Sequence, residues 1–206
     1  MVTNYTYQEL TSRQDELLLP WLDIYETSFP PNERILVSRF LEILREKELG
    51  RAADDILLAC LDASGEVAGM AHYRLAPQLR AAFLWYLAVA AQKRCAGLGT
   101  LIYQKIVAAT RQPPFRALIF DVEMPENAPD AHGRQLAERR IQFYRRNGAF
   151  ILGGIEYMQR VGWHQPPIQL HLMVHPYGNL DGPQAFEIAR QAFDQAVRQV
   201  GPLVLE

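Results

Sequence analysis

Cysteine is scarce: the 206-residue chain carries two, Cys60 and Cys95. Two isolated thiols make neither a disulfide framework nor a paired metal-ligand motif. Cys60 lies inside an apolar run and reads as a core thiol. Long apolar stretches are also missing, and none approaches the roughly 20 residues needed to cross a bilayer. The first residues lack the basic-then-apolar layout of a signal peptide. A cytoplasmic protein is therefore expected, and the Asn4-Tyr5-Thr6 sequon carries no weight. A formal net charge of −2 supplies no basic footprint for nucleic acid and no attraction to a membrane surface. His132, His164, His171 and His175 stand in no His-Glu-x-x-His or Cys-x-x-Cys context, so no metal is expected. Gly-x-Ser-x-Gly does not occur, which removes the usual serine-hydrolase elbow. Neither an internal repeat nor a low-complexity segment is present.

What remains is a chain whose 49% hydrophobic content supports a sizeable core, at a length suited to one domain or one domain plus a terminal extension. Residues 4–9 alternate weakly as a first strand. Residues 15–28 are helical, with Leu18, Leu22 and Tyr25 on one face, and Pro30-Pro31 ends that helix. Asn32 is placed to cap a second helix through residue 47, with Ile35-Leu36, Phe40 and Ile43-Leu44 inward. Strands follow at 56–61, 67–75 and 82–90, the first two joined by the hairpin signal Asp62-Ala63-Ser64-Gly65-Glu66. A helix then runs to about residue 110, a buried strand covers 116–123, and a polar loop covers 124–132. A helix over 134–147 ends at Gly148 in a C′ position. Strands cover 151–160 and 169–174. The pattern predicts a last amphipathic helix over 182–200, with Ala185, Ala189, Ala192-Phe193 and Ala196-Val197 inward.

One segment carries chemistry. Arg94-Cys95-Ala96-Gly97-Leu98-Gly99-Thr100 follows the apolar strand and opens the helix Leu101-Ile102-Tyr103. The unpartnered N–H groups of a first helical turn and the helix dipole both favour an anion there. Glycine lets the backbone approach it, and Arg94 can add a charge-assisted bond. The reading is a loop that wraps a pyrophosphate; the plain alternative is a glycine-rich β–α turn that binds nothing. Spacing selects the ligand. A dinucleotide fingerprint needs a third glycine where Ile102 stands, and a Walker loop needs Gly-Lys-Ser/Thr where Gly99-Thr100-Leu101 stands.

Arg-x-x-Gly-x-Gly preceded by Leu87-x-Val89 does resemble the acetyl-CoA signature of the GCN5-related N-acetyltransferase (GNAT) superfamily. The order of elements over about residues 3–174 is similar too. The resemblance implies an α/β (mixed α+β) fold: a central, mostly antiparallel sheet of about seven strands flanked by helices. Residues 1–176 would be the acyl-CoA-binding domain and residues 177–206 a helical extension. That extension would cover a sheet edge, pack on its own core or join two copies as a homodimer. A second segment, Phe143-Tyr144-Arg145-Arg146-Asn147-Gly148-Ala149-Phe150, looks like the family's aromatic-Tyr-x-x-x-Gly-aromatic element, displaced by Ala149. Ala137 stands where the family often has Asn, with Asn127 nearby in sequence.

By resemblance, acetyl-CoA is the co-substrate and an amine the acceptor. Leu87, Ala88 and Val89 match the strand edge that pairs with the pantetheine arm, and a backbone N–H near Leu87 serves as the oxyanion donor. Residues 94–100 match the pyrophosphate grip. Tyr144 matches the residue that protonates the departing thiolate; its other reading is a core aromatic. The amine also needs a base with a pKa near neutrality. Glu123 ends the strand that flanks the thioester, and Glu33 lies in Phe29-Pro30-Pro31-Asn32-Glu33-Arg34, a connection that lines the acceptor site in many relatives. Glu26 and His72 are further options, each with a plain structural reading beside it. The Arg139-Arg140 and Arg145-Arg146 pairs read as a solvated helix face. Two functions stay open: an N-acetyltransferase acting by direct attack on the thioester in a ternary complex, or a non-catalytic acyl-CoA-binding module. Loop 124–132 and Trp163-His164-Gln165-Pro166-Pro167 are expected to shape the acceptor pocket, because loops carry specificity on a shared scaffold. The acceptor itself is not legible.

Overall fold

The computed structural model describes residues 4–51, 54–94, 97–159 and 166–206. The chain forms two compact units, one of Met1–Leu75 and Leu84–Ile106, the other of Ala76–Phe83 and Val107–Glu206. Residues 177–206 fall in the second.

In the first unit, β1 (Thr6–Glu9) is followed by α1 (Leu18–Ser28) and α2 (Val37–Glu48), then β2 (Asp55–Leu61) and β3 (Val67–Ala76). β4 (Ala81–Val89) and α3 (Leu98–Thr110) begin or end in the other unit. α1 forms because Leu18, Trp21, Ile24 and Tyr25 recur at helical spacing and are buried. Phe40, Ile43 and Leu44 do the same for α2. The Trp21 and Tyr25 rings meet Phe40 edge-on at 5.0 and 4.9 Å. Trp21 Nε1–H donates to the Leu58 carbonyl at 3.0 Å, so the largest core ring leaves no buried donor unpaired.

The second helix starts later than the sequence suggested. Residues 31–33 form one 3-10 turn, Arg34 and Leu36 are extended, and Leu36 is exposed. Side chains claim the backbone here: Ile35 N–H donates to the Tyr86 hydroxyl at 3.2 Å, and the Ile35 carbonyl accepts from Tyr25 at 3.0 Å. With both its N–H and its carbonyl bonded to side chains, Ile35 has no helical partner to seek.

The second unit holds β5 (Ala117–Glu123), α4 (Ala131–Arg146), β6 (Phe150–Gln159), β7 (Ile168–Pro176), α5 (Gly182–Phe193) and β8 (Val197–Leu205). Asp130 caps α4 by accepting from Gly133 N–H at 2.7 Å, and Asp181 caps α5 by accepting from Gln184 N–H. The strand order is β1-β2-β3-β4-β5-β7-β6-β8, mostly antiparallel, with β4 and β5 parallel.

The eighth strand corrects the predicted helix over 182–200. That helix stops at Phe193, Asp194 takes φ +47°, and β8 pairs antiparallel with β6 from Leu152–Leu205 to Tyr157–Val197. Val197, Val200 and Val204 are β-branched, and Gly201-Pro202 cannot continue a helix. Gly154 makes the pairing possible. Its φ is +76°, and a Cβ there would overlap the Pro202 carbonyl. Gly154→Ala is expected to cost roughly 2–4 kcal/mol from left-handed strain plus overpacking. Urea denaturation checks this; a loss below about 0.5 kcal/mol would contradict the close approach of β8.

Candidate active site

β4 ends at Val89, residues 91–93 make a 3-10 turn, and α3 begins at Leu98. Gly97 has φ +76°, a conformation open to glycine and strained for other residues. Its carbonyl accepts from Thr100 N–H at 3.0 Å and Leu101 N–H at 3.3 Å, so Gly97 caps α3. The N–H groups ahead of Thr100 are those a helix leaves without an internal partner. A Cβ on Gly97 would meet nothing within 4 Å, so the turn faces open space. Cys95 and Ala96 lie outside the described residues. The strand, turn and helix terminus that the sequence pointed to are thus in place, with partial positive charge at an accessible backbone.

Two side chains brace this turn. Arg94 Nε donates to the Val89 carbonyl at 3.2 Å. Lys93 Nζ donates to Asp62 Oδ2 at 2.6 Å. The other oxygen, Asp62 Oδ1, accepts from Ser64 N–H, Ser64 Oγ and Glu66 N–H, so the β2–β3 hairpin is tied to the turn. The Lys93 bond is the main reason the Asp62 carboxyl is held well below the usual carboxylate range. Sequence reading took residues 62–66 only as a hairpin; the reach of Lys93 back to them had no local signature. If the turn holds acetyl-CoA, as the resemblance implies, Asp62→Ala is expected to raise its KM about tenfold and leave kcat within about twofold, because the change loosens the turn and spares the reacting atoms. An unchanged KM would show that the turn holds its shape without the clamp.

Within β4, the parallel ladder to β5 covers Ala81–Ala117, Ala82–Leu118 and Phe83–Ile119 and ends there. Leu87, Ala88 and Val89 lie beyond it, with Ala88 buried and its neighbours partly so. Tyr86 precedes them. Its hydroxyl donates to the Glu33 carbonyl at 2.9 Å while accepting from Ile35 N–H, and its ring meets Tyr25 and Phe29 edge-on, each at 4.9 Å. The strand that carries Leu87 therefore also fixes the Glu33 connection. Burial, with Tyr86 adding to it, pushes the Tyr25 hydroxyl above the usual phenol range. Sequence reading named Glu33 and missed Tyr86, whose role depends on a partner far away in the chain. Arg34 Nη1 donates to the Glu26 carbonyl at 3.3 Å and lies 4.0 Å from that side chain's carboxylate. His72 is buried against Phe40 and Tyr86, with Nε2 2.8 Å from Asp55 Oδ1 and Nδ1 without a hydrogen-bond partner. Burial pushes its pKa down, against the pull of Asp55, so the ring is neutral at pH 7.

The second unit carries the other two residues expected from sequence. Tyr144 is buried on α4, its ring 4.3 Å from Phe120 and 5.0 Å from Phe143. Burial pushes its pKa up to about 12; Arg140 opposes the rise, and Glu123 and Asp121 add to it. Glu123 ends β5 and pairs through Oε1 with Arg140 of α4, so that arginine is not merely a solvated one. Glu123 Oε2 is buried without a hydrogen-bond partner. Where the β6–β7 ladder shifts register between Ile151 and Tyr157, a cavity of about 180 Å³ is lined in part by Met124, Gln169, His171 and Glu206. Loop residues 163–165 lie outside the described residues. Among the described residues, no group of three or more His, Cys, Asp or Glu is arranged to hold a metal ion, and no helix is long and apolar enough to cross a membrane.

A parallel β4–β5 pair in a mostly antiparallel sheet is thus followed, past a 3-10 turn, by a glycine turn and the N-terminus of α3. The chain belongs to the acetyltransferase (GNAT) family, whose model matches residues 18–149. Membership makes it an acetyltransferase with acetyl-CoA as co-substrate and an amine as acceptor. Solved structures share the fold. A protein from Bacteroides thetaiotaomicron described as a GNAT-family acetyltransferase superposes with a TM-score of 0.72 at 20% identity, covering 91% of this chain and 94% of its own. The ribosomal-protein-S18-alanine N-acetyltransferase of Escherichia coli gives 0.59 at 16% identity, over 86% and 96% of the two chains. The spermidine/spermine N-acetyltransferase of Vibrio cholerae gives 0.57 at 15% identity, over 90% and 96%. A comparison with curated protein sequences finds no match.

Proposed function

We propose that this protein transfers the acetyl group of acetyl-CoA to a primary amine by direct attack, without an acetylated enzyme intermediate. The observation that carries the reading is the Gly97 cap: an open, positively polarised helix terminus that follows the part of β4 beyond its ladder to β5. Residues 94–100 hold the pyrophosphate, and the backbone of Leu87, Ala88 and Val89 holds the pantetheine arm. A backbone N–H near Leu87 donates to the thioester oxygen as it gains negative charge. The amine nitrogen bonds to the carbonyl carbon, the C–S bond breaks, and the amine proton passes to a carboxylate or to water. Tyr144 donates a hydrogen bond to the sulfur as charge develops. Glu33 and Glu123 are the carboxylates proposed for the amine proton. Glu123 is favoured by its buried, unbonded Oε2, an acceptor with room for a proton. N-acetylation named for spermidine/spermine and for an alanine amine on this same fold is consistent with an amine acceptor.

The test is thiol release from acetyl-CoA with a panel of amines: alkylamines, amino acids, peptides with a free N-terminus and arylamines. Amine-dependent release of free CoA is expected. Tight acetyl-CoA binding with no turnover of any amine would favour the non-catalytic module.

A further inference from the structure

The packing of Tyr86 needs only its ring, so its hydroxyl needs a separate reason. The ring meets Tyr25 and Phe29 edge-on, lies 6.4 Å from Phe40 and stacks on His72 at 6.1 Å. Asp55 in turn holds His72 through Nε2. With four ring neighbours, the phenol has one place to put its oxygen. That oxygen serves the connection between α1 and α2, residues 29–36. It donates to the Glu33 carbonyl and accepts from Ile35 N–H, while the Tyr25 hydroxyl donates to the Ile35 carbonyl. Glu33 and Ile35 are only partly buried, and water would satisfy their backbone nearly as well. Stability is therefore a weak reason for spending two phenols here. What the bonds add is location, because they hold the connection at a fixed distance from β4.

Tyr86 is also part of the donor strand. The peptide that joins it to Leu87 carries the Leu87 N–H, one of those proposed for the thioester oxygen. One residue thus belongs to that peptide and, through its hydroxyl, grips the backbone of Glu33. All these groups lie within the first unit. Attack on a thioester needs the amine and the carbonyl carbon in one narrow geometry, and supporting side chains locked by packing supply it.

We propose that Tyr86 is a positioning residue of the transfer: it holds Glu33 at the donor strand, so that the Glu33 carboxylate accepts a hydrogen bond from the attacking amine. The assignment rests on the acetyltransferase reading above. The test uses the full chain with acetyl-CoA and two probes, n-butylamine and glycinamide, and follows release of free CoA. Glu33→Gln is expected to lower kcat for the better probe about 30-fold, because it removes a charge-assisted bond to the amine. Tyr86→Phe keeps the ring contacts and is expected to lower kcat about tenfold, with acetyl-CoA affinity within about twofold. Tyr25→Phe is expected to act in the same direction, severalfold. The deciding variant combines Tyr86→Phe with Glu33→Gln. It is expected to fall within about twofold of Glu33→Gln alone, since a carboxylate that is gone cannot be misplaced. A loss of about 300-fold, the product of the two, would mark Tyr86 as merely structural and overturn the assignment. So would a kcat unchanged by Tyr86→Phe or by Glu33→Gln. In each of those cases the wild type still turns over amine, and the acetyltransferase reading stands. Acetyl-CoA binding without turnover of either probe would overturn the assignment and favour the non-catalytic module.

Discussion

Gly97→Trp is expected to weaken acetyl-CoA binding by at least about 100-fold, ~2.7 kcal/mol. Two effects act together. A side chain at φ +76° is strained by about 1–2 kcal/mol, which pulls the turn away from its present shape. The indole then occupies the open space outside Gly97, where a pyrophosphate must lie to reach the helix N–H groups. Because a Cβ there meets no protein atom within 4 Å, the fold is expected to persist, with an unchanged far-ultraviolet circular dichroism spectrum. Gly97→Ala separates the two effects: it carries the strain without the bulk, and a loss of about tenfold or less is expected. Equal affinities of wild type and Gly97→Trp, by calorimetry, would remove residues 94–100 from the donor site.

The second large effect belongs to Tyr144. Replacing it by Phe keeps the ring on Phe120 and Phe143 and removes only the hydroxyl. If that hydroxyl donates to the departing sulfur, kcat falls about 100-fold, the size seen when a single donor to a developing anion is lost. Acetyl-CoA affinity should stay within about twofold. The pH profile adds a check with a definite sign. A phenol whose pKa is pushed up to about 12 is in its donating form throughout the working range. The kcat profile should therefore rise as the amine loses its proton and show no falling limb between pH 7 and 10. A falling limb that disappears in Tyr144→Phe, or a kcat unchanged by that substitution, would return Tyr144 to the role of a core aromatic.

How much of this was legible beforehand follows from the range of the interactions. The Gly97 turn was readable because strand, turn and helix start are contiguous, and each obeys local rules of periodicity and capping. The end of α4 at Gly148 was readable for the same reason: an Asn-Gly stop is a local signal. The helix predicted over 182–200 failed where two periods compete. Ala196-Val197 fits a helical stripe continued from Ala192-Phe193, and only the pairing of β8 with β6 decides for a strand. That pairing depends on Gly154, far away in sequence, admitting the Pro202 carbonyl. The start of α2 failed likewise, since hydroxyls from Tyr25 and Tyr86 take the Ile35 peptide groups. Glu33 and Glu123, the carboxylates proposed for the amine proton, were legible as acids at element ends. The Lys93–Asp62 clamp joins a turn to a hairpin, and neither segment announces the other.

The most direct test of the central claim is a calorimetric titration of the wild-type chain with acetyl-CoA. One binding event per chain, competed by free CoA and lost in Gly97→Trp, is the predicted result. No heat of binding, from protein shown to be folded, would contradict the account and leave residues 94–100 as an ordinary β–α turn.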